Sequence, residues 1–109
     1  FGLSSGLFYT PGAYATADEV ADLMRVAADR LGRSAVHTSH IRDEGTYSVG
    51  VVAAVDEIIT IAERSSTTGI VTHMKALGPE AWGKVRECAA HIDAARARGV
   101  AVWADQYPY

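Results

Sequence analysis

The sequence predicts an α/β fold, a partial (β/α)8 TIM-type barrel of about three βα units around a parallel sheet. Three observations carry this expectation. Helix-period and strand-period apolar patterns alternate along the chain, as in βαβ units. The predicted strand ends fall near His40, His73 and Gln106, a constant step of 33 residues. Eight such units would make about 250 residues, the usual size of a (β/α)8 barrel. An open doubly wound sheet shares the alternation, and periodicity alone does not choose between the two.

The first helix opens at Thr16-Ala17-Asp18-Glu19, where Thr16 and Glu19 have capping-box spacing. It runs to about Arg30, with Val20, Leu23, Met24, Ala27 and Leu31 on one expected inner face. Ser34 to His40 reads as a strand. A second helix is expected from about Tyr47 to Arg64, burying Val51, Val55, Ile58, Ile59 and Ala62. Gly69-Ile70-Val71-Thr72-His73 is a short β-branched strand after the polar turn Ser65-Ser66-Thr67-Thr68. The third helix should run from about Pro79 to Arg98, burying Trp82, Val85, Ala89, Ile92 and Ala95, with Gly99 as its stop. Val100 to Asp105 is the next strand. The chain would thus hold the tail of one strand, three helices and three further strands.

Composition narrows the function. In 109 residues, 49% are hydrophobic and 21% charged, ordinary values for a soluble globular protein. A net charge of −3 with scattered arginines gives no basic groove, so no nucleic acid and no anionic membrane surface is expected as a partner. No apolar run approaches a membrane span of about 20 residues. A single cysteine, Cys88, excludes an internal disulfide and suits a reducing compartment, so the expected localisation is cytoplasmic. The chain has no initiator methionine, begins in an apolar stretch and stops at Tyr107-Pro108-Tyr109. Residues 1–109 are therefore expected to be one internal fragment of a larger domain.

His40 and His73 are each expected to end a strand. In a barrel such positions face the C-terminal mouth, where active sites are built. Two neutral imidazoles from adjacent strands can converge on one ion, and imidazole with oxygen donors suits zinc. For a lone histidine, a strand-end hydrogen bond to a loop is the simpler account. Two at matched ends, one repeat apart, put a shared site on an equal footing with that account. His37 lies three residues before His40, hence on the opposite strand face, and cannot share its metal. His91 falls mid-helix near the surface. Lys75, two residues after His73, is placed to hold a substrate carboxylate as a compact positive charge, or is simply solvated. Tyr107, just past the third strand end, can donate to a developing oxyanion or pack against Pro108.

Four segments together carry a resemblance. They are Phe1-Gly2-Leu3-Ser4-Ser5-Gly6-Leu7-Phe8-Tyr9-Thr10-Pro11-Gly12, Ser39-His40-Ile41-Arg42-Asp43-Glu44-Gly45, Thr72-His73-Met74-Lys75-Ala76-Leu77-Gly78 and Ala104-Asp105-Gln106-Tyr107-Pro108-Tyr109. Glu80-Ala81-Trp82-Gly83-Lys84 adds to them. In this order they resemble the N-acyl-D-amino-acid deacylase (D-aminoacylase) family of the metal-dependent amidohydrolase superfamily. The resemblance spans the whole chain. It implies that His40 and His73 match two zinc ligands on the fifth and sixth barrel strands. It also implies that Lys75 contacts the carboxylate of an N-acyl-D-amino acid and that Tyr107 polarises the scissile carbonyl. The implied chemistry is metal-assisted hydrolysis of a linear amide, with water activated by zinc attacking the acyl carbon.

By the same resemblance, a first-strand His-x-His pair, a ligand after the third strand and a late aspartate acting as proton shuttle fall outside this chain. Neither Cys88, on a buried helix face, nor Asp105, which precedes Tyr107, replaces them. The isolated chain is accordingly expected to be inactive, with exposed sheet edges that invite self-association. Two alternatives remain at this level. One is another amidohydrolase, dihydroorotase-like or hydantoinase-like, against which the Ser-His-Ile-Arg-Asp-Glu-Gly and Asp-Gln-Tyr-Pro-Tyr segments argue. The other is a non-catalytic α/β binding module in which both histidines are structural.

Overall fold

The computed structural model describes residues 1–108; Tyr109, which closes the Asp-Gln-Tyr-Pro-Tyr segment, lies outside the described residues. Among the described residues, four strands form one parallel sheet: β1 (Gly2–Gly6), β2 (Val36–His40), β3 (Thr68–Val71) and β4 (Val102–Ala104). Three helices alternate with them: α1 (Ala17–Leu31), α2 (Val51–Ser65) and α3 (Lys84–Ala97). The strand order is β1-β2-β3-β4, with no reversal. A doubly wound sheet reverses its order and places helices on both faces. Here α1 packs on α2 and α2 on α3. Sequential order with crossovers of one hand stacks all the helices on one face, as in a stretch of (β/α)8 barrel.

Register and strand alternation assign the faces. His37, Ser39, Val71 and Val102 point toward the helices and are fully buried. Gly69 lies among them, and a Cβ there would press on Ile58 and Ala62 of α2 at 3.1 Å. The opposite face carries Thr38, His40 and Ile70, half-buried, and Trp103, 49% exposed. The core between sheet and helices is built from Val20, Ala21 and Met24 of α1, Val55, Ile58 and Ala62 of α2, and Cys88, Ile92 and Ala95 of α3.

Several sequence expectations hold and several need correction. The capping box forms: Glu19 N–H donates to Thr16 Oγ1 at 3.2 Å and Thr16 N–H to Glu19 Oε2 at 3.1 Å. Gly99 follows α3 with φ of +90°, the left-handed backbone that ends a helix. Leu23 and Leu31, expected inside, are 58% and 40% exposed, because the buried stripe of α1 runs through Val20, Ala21 and Met24 instead. The second helix starts at Val51, not Tyr47, because the preceding residues wrap around the Asp43 carboxylate. The third is broken at Trp82-Gly83, where Gly83 has φ of +87°. Trp82 therefore precedes the helix, 73% exposed, and is not on its inner face. β3 ends at Val71, two residues before His73, and β4 is shorter than Val100 to Asp105.

His37 is the polar residue at the centre of the helix-facing layer, and its ring is fully buried. Ser5 Oγ donates to Ser39 Oγ at 3.0 Å, which commits its single hydrogen. His37 Nε2–H must then be the donor to Ser5 Oγ, at 2.8 Å. Nδ1 meets no hydrogen-bond partner among the described residues. Burial lowers the His37 pKa to about 4, so the ring is neutral in the fold. In the unfolded chain it titrates near about 6.5. Between these values the unfolded state binds a proton that the native state refuses, so stability is full above the upper value and falls as pH drops toward the lower. The loss amounts to about 3 kcal/mol. Urea denaturation at pH 7 and pH 4 should show His37→Gln shrinking the stability difference by about that amount. Equal pH dependence in both proteins would mean that another group carries it.

Candidate metal centre

His40 is the last residue of β2 and stands on the sheet face away from the helices. His73 reaches the same place by a different route. Val71 pairs with Ser39, on the helix-facing side. Continued strand alternation would therefore align His73 with the buried Ile41, on the wrong face. Instead the chain turns: His73 has φ of +43°, rare for a non-glycine residue. Asp105, at the end of β4, secures the turn. Its Oδ1 accepts His73 N–H at 2.5 Å and its carbonyl accepts Met74 N–H at 2.8 Å. The result is two imidazoles with centroids 4.5 Å apart, inclined at 67°.

Between the rings comes Glu44, four residues after His40 and 6% exposed. Its Oε1 lies 2.9 Å from His73 Nδ1, 3.7 Å from His40 Nε2 and 2.5 Å from Lys75 Nζ. Lys75 Nζ is also 2.8 Å from His73 Nδ1. His40, Glu44 and His73 each bring a donor atom within 4.8 Å of the others, a set of two imidazoles and a carboxylate able to hold a metal ion. Burial lowers the His40 pKa, against the opposing pull of Glu44 and with help from His73 and Lys75. That favours the neutral imidazole, the form with a lone pair to give a metal.

Aromatic rings flank the pair. Tyr107 stacks on His73, with centroids 5.8 Å apart and planes at 19°, and Lys75 Nζ lies 5.3 Å from the Tyr107 ring centre. Tyr9 approaches His40 from the other side, its hydroxyl 3.4 Å from Nδ1. The sequence-predicted His40, His73, Lys75 and Tyr107 are thus brought together. His37 is excluded, on the opposite face as expected. His91 lies apart, between α2 and α3, 2.7 Å from Asp56. Cys88 is buried in the core, where burial raises its thiol pKa.

The loop after β2 that carries Glu44 is fixed by its neighbours. Burial alone would raise the Asp43 carboxyl, but N–H donors from Ser48, Gly45, Gly50 and Tyr47 hold it below the ordinary range. Three of those bonds measure 2.6 Å to Ser48, 2.7 Å to Gly45 and 2.9 Å to Gly50. Arg42 grips Glu57 of α2 with bonds of 3.2, 2.9 and 2.8 Å and donates to the carbonyls of Ala13 and Ala15. Sequence reasoning missed Glu44, Asp43, Arg42 and Tyr9. The signal for Glu44 was the charge of Lys75, which needs a counter-ion once half-buried.

No family model matches the sequence. Individual relatives do. N-acyl-D-glutamate deacylase of Alcaligenes xylosoxydans xylosoxydans is 46% identical over 108 residues, 99% of this chain and 21% of that protein. D-aminoacylase of the same organism is 35% identical over 99% of this chain and 21% of its own length. Among solved structures, N-acyl-D-glutamate deacylase from Bordetella bronchiseptica, complexed with zinc and a phosphonate mimic of the tetrahedral intermediate, superposes with a TM-score of 0.86 at 46% identity. It is covered over 21% of its length by 97% of this chain. A D-aminoacylase solved to probe its binuclear metal centre gives a TM-score of 0.85 at 31% identity, across 99% of this chain and 21% of that one. The chain thus spans about a fifth of the length of the relatives it matches. Along its whole length the chain is similar to one stretch of these longer deacylases and D-aminoacylases.

Proposed function

We propose that this chain is the part of a (β/α)8 barrel running from the end of its fourth strand through its seventh. The longer protein would be a zinc-dependent hydrolase that removes the acyl group from N-acyl-D-amino acids. One observation carries the reading: His40 and His73 converge at the C-terminal ends of parallel strands, with Glu44, Lys75 and Tyr107 around them. The relatives named as deacylases and the neighbour complexed with zinc and a phosphonate inhibitor support it.

In this reading His40 and His73 hold the zinc. When bound, the metal supplies Lewis acidity, which makes water a nucleophile near neutral pH. The chain's own residues orient the substrate. Lys75, on the loop after β3, takes the carboxylate of the amino acid as a point charge. Tyr107, beside His73, donates its phenolic hydrogen to the carbonyl oxygen as negative charge develops there. Ligands and the proton-transferring aspartate implied by the family resemblance would come from outside this chain. The partner is accordingly a small molecule, with no nucleic acid or membrane involved, and the compartment is the cytoplasm. Among the described residues no helix is long and apolar enough to cross a membrane. Among the described residues β1 and β4 are the unpaired edges of the sheet, which would favour self-association of the isolated chain.

Two sets of measurements test this. The isolated chain should not hydrolyse an N-acetyl-D-amino acid even with added zinc, because two or three ligands without a proton shuttle do not complete the site. Turnover lost on His73→Ala would refute that. In the full-length protein, Lys75 and Tyr107 should separate kinetically. A charge-assisted contact made in ground and transition states is worth about 1.5–3 kcal/mol. Lys75→Ala should therefore raise KM about ten- to a hundredfold with kcat little changed. Tyr107→Phe keeps the ring and loses the donor, so kcat should fall about a hundredfold at similar KM. A kcat near that of the unmodified protein in Tyr107→Phe would reduce the tyrosine to a packing role.

A further inference from the structure

Glu44 has two available roles at this mouth, as a third metal ligand or as a partner of the ligand beside it. The distances favour the second. Oε1 is 2.9 Å from His73 Nδ1, hydrogen-bonding distance, and 3.7 Å from His40 Nε2. The same oxygen is 2.5 Å from the Lys75 ammonium, which itself lies 2.8 Å from His73 Nδ1. Nδ1 of His73 is therefore engaged whichever group donates. If the ring carries its hydrogen there, Glu44 accepts it; if not, Lys75, itself held by Glu44, donates to the nitrogen. In both arrangements Nε2 is the nitrogen left for a metal. A histidine ligand backed by a carboxylate is held in one orientation and made a stronger base.

We propose that Glu44 is a positioning residue for zinc: its carboxylate accepts the Nδ1 hydrogen of His73 and so presents Nε2 to the metal, while Lys75 is held on the same oxygen without being needed for that bond. This rests on the reading of His40 and His73 as zinc ligands. The surroundings suit a fixed carboxylate. Glu44 O accepts Leu77 N–H at 2.7 Å, which ties the loop after β2 to the loop after β3. Asp43, one residue earlier, collects the backbone N–H groups that hold the loop in shape.

The test measures zinc affinity of the full-length protein by competition with a fluorescent chelator, without using activity. Glu44→Gln keeps the shape and loses the charge. It should weaken zinc binding ten- to a hundredfold, with full occupancy regained at higher zinc. Lys75→Met removes a positive charge close to the metal position and should leave zinc binding as tight or tighter. Cobalt substituted for zinc should show the same coordination number in Glu44→Gln as in the unmodified protein. Unchanged zinc affinity in Glu44→Gln, weakened binding in Lys75→Met, or a lost cobalt ligand would each overturn the proposal. His73→Ala distinguishes the two levels. If it leaves zinc affinity untouched, the zinc-ligand reading itself fails; if it weakens binding while Glu44→Gln does not, only the positioning role fails.

Discussion

In a parallel sheet, alternation assigns each side chain to one face, and by that rule His73 stands on the wrong one. The sheet pairs Val71 with Ser39, so a straight continuation of β3 would bury His73 beside the helices, level with Ile41. The left-handed turn at His73 moves its ring across to His40. Such a backbone conformation costs roughly 1–2 kcal/mol in a residue with a Cβ. Asp105 offsets it by accepting two backbone N–H bonds, one at its carboxylate, worth about 1.5–3 kcal/mol, and one at its carbonyl, worth about 0.5–1.5 kcal/mol. The third repeat thus stabilises the conformation that makes the second repeat's histidine useful, and Lys75 inherits its position from the same turn.

The loop after β2 is built to a similar standard with different means. Arg42 and Asp43 flank Glu44 and point in different directions. Arg42 reaches α2 and the segment before α1; Asp43 closes the loop on itself. Neither touches a histidine in these contacts, yet between them they fix the path of the backbone on either side of the carboxylate. Ser-His-Ile-Arg-Asp-Glu-Gly is therefore a sequence in which three consecutive charged residues have three separate jobs. The glycine that ends it is also constrained. A Cβ at Gly45 would lie 2.7 Å from the carbonyl oxygen of Leu77, so the two βα loops can approach only if this position carries none.

The parts of this arrangement legible in the sequence were those governed by periodicity. Alternating strand and helix signals, the capping box at Thr16 and the stop at Gly99 depend on local backbone chemistry, and each is found where expected. The 33-residue step singled out two histidines whose rings do lie side by side, but for an incomplete reason. Paired strands are offset by 34, 32 and 33 residues in turn, so the two histidines are not register equivalents. What aligns them is a turn that no periodicity encodes. Glu44 was hidden for a related reason: its contacts come from a loop whose shape depends on Asp43 binding backbone N–H groups up to seven residues ahead. Trp82 was misassigned because Gly83, with positive φ, breaks a helix that apolar spacing alone would continue.

Charge gives the proposed site its remaining logic. Before any metal is counted, Glu44 and Lys75 cancel, and the neutral form favoured at His40 adds nothing. The chain as a whole is at −3, so its surface offers no general attraction to an anion. A divalent ion held by His40 and His73 would add positive charge to the mouth, felt over a screening length of about 8 Å at physiological salt. On the proposed function, an anionic acyl amino acid would then be drawn to the loaded site. Lys75 would contribute direction more than net attraction, since Glu44 already balances its charge. A lysine held by a carboxylate, a histidine and an aromatic ring loses little further freedom on meeting a second carboxylate. On this view the Glu44–Lys75 pair lets the metal supply the attraction while the lysine supplies the orientation.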